Sequence, residues 1–324
     1  MEESFSDIQS TIGPELELLN ERIAMRLHSS NALMNSVIEN YLRVKGKQIR
    51  PILVMLAARL LGTVNERVIA SAAAVELLHN ASLIHDDVVD DTKTRRGVTT
   101  INGLWDNHIA VLVGDYFVST ALLEAMSTGD VRAVSSIANL GKLLSLGEID
   151  QIYNARFHQL SEEAYFGVIS RKTASLFVAC VEMGAYAVDA ADDEIDHLRR
   201  YAELLGLCFQ IKDDVFDYYD DKKIGKPTGN DLREGKITLP LLHVLLETQA
   251  DGGPMLELSQ KAVLSDDEIM QLIEYAKDRG GIDYAYSRME GLYEEAVREL
   301  DYLPAGKERD AFDLLFRYVI ARDR

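Results

Sequence analysis

Apolar side chains recur at three- and four-residue steps along most of this chain, a spacing that predicts helix almost throughout. Eleven helices are expected, at about 4–28, 31–44, 51–62, 65–90, 105–127, 131–156, 162–188, 193–219, 237–249, 266–299 and 306–321. Pro14, Pro51, Pro227, Pro240, Pro254 and Pro304 fall at the apparent boundaries, and Pro51 suits a first helical turn. No reliable period-2 run or hairpin signal marks a strand. Several of these helices exceed 20 residues and carry a broad apolar stripe, as in ASAAAVELL at 70–78, and helices of that kind stack as bundles. The expected architecture is therefore all-α, a single domain over residues 1–324, with no repeat of fixed period. The polar stretch DDKKIGKPTGNDLREG at 220–235 is too long for a tight turn, and loops of that length are often functional.

Composition narrows the partners. With 34 basic against 53 acidic residues the net charge is −19, which argues against nucleic acid as the main partner. Phosphate substrates stay open, because metal and a few arginines can hold them locally. Cys180 and Cys208 both sit in apolar helical runs, so they read as buried thiols rather than a disulfide framework, and a reducing cytoplasm is the expected location. The acidic start MEESFSDIQS is unlike a signal peptide. The longest strongly apolar runs, 52–58 and 68–74, fall short of a bilayer span, so membrane contact is expected to be peripheral at most.

The chemistry concentrates in ELLHNASLIHDDVVDDTKTRRG at 76–97. An apolar helix face (Leu77, Leu78, Ala81, Ile84) runs directly into Asp86, Asp87, Asp90 and Asp91, with Arg95 and Arg96 just beyond. Asp86 and Asp90 are four apart and share a face, so their carboxylates repel unless a cation lies between them. Hard oxygen ligands at this spacing suit Mg2+, which keeps waters and commonly binds substrate phosphates too. The Asp-Asp-x-x-Asp pattern recurs at Asp192/Asp193/Asp196 and at Asp213/Asp214/Asp217. The copy at 192 opens a helix, where acids complement the macrodipole, and it reads as structural. The copy at 213 follows the apolar run AELLGLCFQIK and lies toward a helix end where the dipole disfavours anions. Acidic clusters on two helices can face one another in a bundle interior and grip a diphosphate through Mg2+.

A basic set accompanies the acids. GKQIRP at 46–51 places Gly46, Lys47 and Arg50 just before a helix. Lys172-Thr173, Lys226 in GKPTGND and Lys236 in REGKITLP extend the set, Gln210 precedes Asp214 by one turn, and His79 lies about two turns before Asp86. There is no nucleophile elbow, P-loop or zinc spacing.

In this order, GKQIRP, HNASLIHDDVVDDTKTRRG, GEIDQ at 147–151, KTASLF at 172–177, FQIKDDVFD at 209–217 and GKPTGNDLREGK at 225–236 closely resemble the trans-isoprenyl diphosphate synthases, the polyprenyl synthetase family. The resemblance spans most of the chain. It implies a bundle of about ten or more helices around a central hydrophobic cavity (the isoprenoid synthase type), assembled as a homodimer. It implies Mg2+ held on an allylic diphosphate by Asp86, Asp90 and Asp213, with Asp87, Asp214 and Asp217 assisting. Arg95, Lys172, Thr173, Gln210 and Lys226 are implied contacts of that diphosphate, and Lys236 belongs to the same substrate-binding set. Gly46, Lys47, Arg50, His79 and Arg96 are the implied isopentenyl diphosphate site. Gln48 is a departure, standing where a basic residue is common in the family. The implied reaction ionises the allylic diphosphate, adds the isopentenyl double bond to the cation and loses a proton, with no protein nucleophile. A class I terpene cyclase would also carry the first acidic motif but needs no isopentenyl diphosphate site, and a non-catalytic partner subunit could lose its acidic ligands, whereas both motifs here are intact.

Product length is expected to follow from the helix that carries Asp86. Short-chain relatives place an aromatic floor four or five positions before that aspartate, where this chain has Ser82 and Ala81. A long all-trans product of about thirty to forty carbons is expected, with a deeper floor near Leu77, Leu78 or the helix over 111–126. A farnesyl or geranylgeranyl product is the short-chain alternative. Ala81→Tyr should shorten the product seen by chain-length analysis, and an unchanged product would remove Ala81 from the floor.

Overall fold

The structure is a computed structural model that describes residues 8–43, 46–95, 97–219, 228–248 and 253–322. Among these residues there are sixteen α-helices and one π-helical turn, and the chain is all-α. The helices are α1 (Gly13–Leu27), α2 (Ala32–Leu42), α3 (Ile49–Leu61), α4 (Glu66–Val89), α5 (Ile101–Leu104), α6 (Asn107–Ser127), α7 (Val131–Arg156) and α8 (Glu162–Ile169). They continue as α9 (Ser175–Ala187), α10 (Asp192–Phe216), α11 (Asn230–Arg233), α12 (Leu239–Thr248), α13 (Pro254–Ser259), α14 (Asp266–Asp278), α15 (Gly281–Leu300) and α16 (Lys307–Ala321).

Starts are set by caps that the sequence carries. Asn65 accepts from the Val68 amide at 3.1 Å, Asp106 from Ile109 at 2.9 Å and Ser161 from Ala164 at 3.2 Å. The helix expected over 266–299 is two helices, because Gly280 at φ +82° takes the left-handed conformation that ends α14. The helix expected over 162–188 is interrupted by the π turn Ser170–Ala174. A two-strand hairpin, β1 (Thr94–Arg95) and β2 (Val98–Thr99), follows α4 where no strand was expected. The 192 copy of the acidic motif lies in the first turn of α10, where Asp196 pairs with Arg199 at 2.6 Å, as its structural reading requires.

The chain divides into two compact units. The first comprises Met1–Lys142, Leu176–Arg200 and Glu299–Leu314. Its spine is α4, which packs on α6, α3 and α1. Ala70, Ala72, Ala73, Ala74, Leu77 and Ala81 of α4 are buried on more than one side of the helix. The second unit comprises Leu143–Ser175, Tyr201–Arg298 and Leu315–Arg324. Here α12 packs on α14 and α8.

In the second unit the π turn is pinned by two glycines. A Cβ on Gly147 of α7 would lie 2.9 Å from the Lys172 nitrogen, and one on Gly206 of α10 would lie 2.5 Å from the Ala174 Cα. Only hydrogen at both positions lets two helices approach the backbone of residues 172–174 so closely.

Both cysteines are buried, and burial pushes the Cys208 thiol up to about 12. One expectation needs correction. Counted as helices rather than unbroken apolar runs, Glu66–Val89, Asn107–Ser127 and Glu162–Ala187 are long and apolar enough to cross a bilayer. The apolar window in the first is 72% buried inside the protein, so there its hydrophobicity serves the interior.

Candidate functional site

The first acidic cluster closes α4. Asp86 lies in the last turn and Asp90 is the C-cap, its amide donating to the Asp86 carbonyl at 2.8 Å. Three carboxylates therefore sit at the negative end of a 24-residue helix. They are not equivalent. Asp86 is half-buried and Asp90 exposed, whereas Asp87 is buried and already engaged. Its Oδ1 accepts from Arg95 Nε at 2.8 Å, with the Arg95 Nη2 also at 2.8 Å. The hairpin that carries Arg95 is tied back to the helix end. Thr92 donates its amide and Asn102 its Nδ2 to the Asp87 carbonyl, each at 2.9 Å, and Thr100 Oγ1 donates to the Thr92 carbonyl at 2.9 Å.

Gly46 and Lys47 are exposed ahead of α3, and Gln48 takes the left-handed conformation (φ 53°) at its N-cap. The Arg50 guanidinium lies 5.9 Å from the Phe177 ring centroid. His79 is buried on α4, and its carbonyl accepts from Ser82 Oγ at 2.8 Å. Arg96 and Lys226 lie outside the described residues.

The second acidic cluster closes α10, in the second unit, and its three members have three environments. Asp213 is 40% exposed and pairs with Arg322 at 2.5 Å. Arg322 also donates to the Phe209 carbonyl at 3.0 Å and stacks 4.0 Å over the Phe209 ring. Asp214 is buried, and burial, then the charge of Asp231, hold its carboxyl well above the usual carboxylate range. Tyr165 donates to its Oδ2 at 2.6 Å and Gln210 Nε2 to its Oδ1 at 2.8 Å. Asp217 accepts from the amides of Asn230 and Asp231, both at 3.0 Å, so its carboxylate caps the start of α11.

Beside this cluster is a cavity of about 260 Å3. Five residues expected from the sequence line it: Lys172, Thr173, Gln210, Asp214 and Lys236. The Lys172 ammonium is paired with Glu148 and accepted by Gln151 Oε1 at 3.3 Å. Thr173 Oγ1 donates to Gln210 Oε1 at 2.6 Å. Lys236 pairs with Glu234 at 2.5 Å. The ammonium groups of Lys172 and Lys236 and the amide of Gln210 line one cavity and are donors suited to an anionic oxygen cluster such as a diphosphate.

Sequence reasoning missed Glu148, Tyr165, Asp231 and Arg322. Glu148 lies inside the quoted GEIDQ, so that motif carried a usable signal. Tyr165 and Arg322 have no local motif, and their partners are 49 and 109 residues away.

The donor types fit a hard divalent cation. Every acid in the two clusters offers oxygen, although among the described residues no three His, Cys, Asp or Glu side chains group closely enough to hold a metal ion.

The fold is an all-α bundle of the isoprenoid synthase type. The polyprenyl synthetase family profile matches residues 31–276, and the chain belongs to that family. It is 32% identical over 309 residues to an octaprenyl diphosphate synthase from Haemophilus influenzae, covering 95% of this chain and 94% of that one. A polyprenyl synthase from Caulobacter crescentus, solved with calcium and isoprenyl diphosphate, superposes with a TM-score of 0.90 at 31% identity, covering 99% and 98% of the two chains. A geranylgeranyl pyrophosphate synthase from Bacteroides thetaiotaomicron gives 0.84 at 39% identity, covering 99% and 100%.

The geometry at Asp87 makes one expectation specific. Arg95→Met leaves that carboxylate buried without its guanidinium, and urea denaturation should show a loss of about 1–2 kcal/mol. Adding Asp87→Asn should recover most of it. An Arg95→Met protein as stable as wild type would show that the pair is not what holds the hairpin.

Proposed function

We propose that this chain is a Mg2+-dependent prenyltransferase that condenses isopentenyl diphosphate with an allylic diphosphate into a long all-trans polyprenyl diphosphate. The observation that carries the reading is the cavity where Lys172, Thr173, Gln210 and Lys236 converge beside the buried Asp214. Asp86 and Asp90 would hold Mg2+, as would Asp213, and the metal would supply positive charge to the departing diphosphate. Lys172, Thr173, Gln210 and Lys236, with Arg95 and Lys226, orient that diphosphate and stabilise its growing charge. Asp87 and Asp217 hold the surrounding backbone. Gly46, Lys47, Arg50, His79 and Arg96 hold isopentenyl diphosphate. The apolar faces of the helices keep water from the allylic cation. The product is all-trans and of about thirty to forty carbons.

That length is supported by the absence of bulk before Asp86. Ala81 is fully buried and small, and the Ser82 hydroxyl turns back onto its own helix. The short-chain alternative has one observation behind it, the 39% identity to a geranylgeranyl pyrophosphate synthase.

The assembly we propose is a homodimer through α6. That helix exposes Val111, Leu112, Leu123 and Met126 along one side, an apolar stripe that an identical helix could cover. The two buried free thiols support a reducing cytoplasm as the location, with membrane contact at most peripheral through the lipid product.

Labelled isopentenyl diphosphate incubated with geranyl, farnesyl or geranylgeranyl diphosphate and Mg2+ should yield a product near C30–C40. Chelator should abolish turnover, and Asp86→Ala or Asp213→Ala should lower it about 10³-fold. A C15 or C20 product would select the short-chain reading. No incorporation with any starter would refute the proposal.

A further inference from the structure

Tyr165 belongs to no motif, yet it anchors a closed set of contacts around the cavity. It sits on α8, capped by Ser161 and leading straight into the π turn. Its ring is buried and meets Phe166 edge-on at 5.4 Å. From its hydroxyl the hydrogen bonds run in series. Tyr165 donates to Asp214 Oδ2 at 2.6 Å, Gln210 Nε2 donates to Asp214 Oδ1 at 2.8 Å, and Thr173 Oγ1 donates to Gln210 Oε1 at 2.6 Å. Thr173 is in the π turn, which the backbone joins to α8, so the series closes on itself.

That closure has a directional consequence. The Gln210 amide turns its NH2 to Asp214 Oδ1 and its carbonyl to the Thr173 hydroxyl, so each of its two ends meets a complementary partner. Orienting the amide places Thr173, and with it the adjacent Lys172. The orientation depends on Asp214 being held at both oxygens. Gln210 shares a helix with Asp214 one turn away, whereas Tyr165 is the contact that ties Asp214 to a different helix. A purely apolar ring at 165 would fill the same space and leave one oxygen of a buried carboxyl unmet.

We infer that Tyr165 is a positioning residue for the diphosphate-binding end of this cavity, acting through Asp214 and Gln210 on Thr173 and Lys172. The inference rests on the proposed prenyltransferase reading and names a group to which that reading gives no role. It requires Tyr165 to matter for the allylic diphosphate and not for isopentenyl diphosphate.

The test uses the full chain and magnesium pyrophosphate as the probe. Isothermal titration into Tyr165→Phe should show Kd raised about 10-fold over wild type. Combined with Thr173→Val, the loss should be non-additive, since both act on one network. In steady state the KM for the allylic diphosphate should rise in parallel while that for isopentenyl diphosphate stays put. Unchanged Kd and KM in Tyr165→Phe, or full additivity in the double variant, overturns the inference. If Tyr165→Phe melts early, adding Asp214→Asn replaces the buried carboxyl with a neutral amide. Melting recovered with Kd still raised supports positioning, and recovery of both shows a stabilising role alone and overturns it. A wild type that neither binds magnesium pyrophosphate nor turns over sinks the functional reading and this inference together. A competent wild type beside an unaffected Tyr165→Phe sinks the inference alone.

Discussion

Carboxylates gathered at the negative ends of two helices are the constraint around which this molecule is built. Asp86, Asp87 and Asp90 close α4, and Asp213 and Asp214 lie in the last turn of α10. The macrodipole opposes negative charge at each place, and neighbouring acids repel one another. A fold can keep such clusters only if something positive or hydrogen-bonding meets them. The chain supplies a different device for several of them. Arg95 meets Asp87, Arg322 meets Asp213, Tyr165 and Gln210 meet Asp214, and two backbone amides meet Asp217, just past the end of α10.

The second requirement is backbone placement. A π turn inserts an extra residue into a helix and re-aims the side chains it carries, and such turns are frequent at functional sites. Here it carries Lys172 and Thr173, and Gly147 and Gly206 let two helices press against it. Local irregularity is thus held by tight packing, and the donors it presents reach the cavity beside Asp214. Electrostatics and packing meet at Gln210, which touches both the carboxylate and the turn.

Much of this was legible in the sequence. Helical periodicity gave the all-α class, and the collinear motifs gave the family and five of the residues that line the cavity. What the motifs could not separate were residues of one type with different tasks. Nothing in Asp-Asp-x-x-Asp says that Asp217 caps a backbone while Asp214 is buried under a tyrosine, because those outcomes depend on partners distant in the chain. The π turn was invisible for a related reason. Its residues keep an ordinary helical pattern, and the glycines that let α7 and α10 approach it are distant in the chain. The hairpin after α4 was too short to leave a period-2 signature.

Acidic helix ends that need both metal and diphosphate should show it in thermal melting of the full chain. Tm should rise about 5 °C with saturating Mg2+ and pyrophosphate together, much less with either alone, and not at all in an Asp86→Asn/Asp213→Asn variant. An equal rise in that variant, or a full rise with Mg2+ alone, would mean that the acidic helix ends do not take the two together.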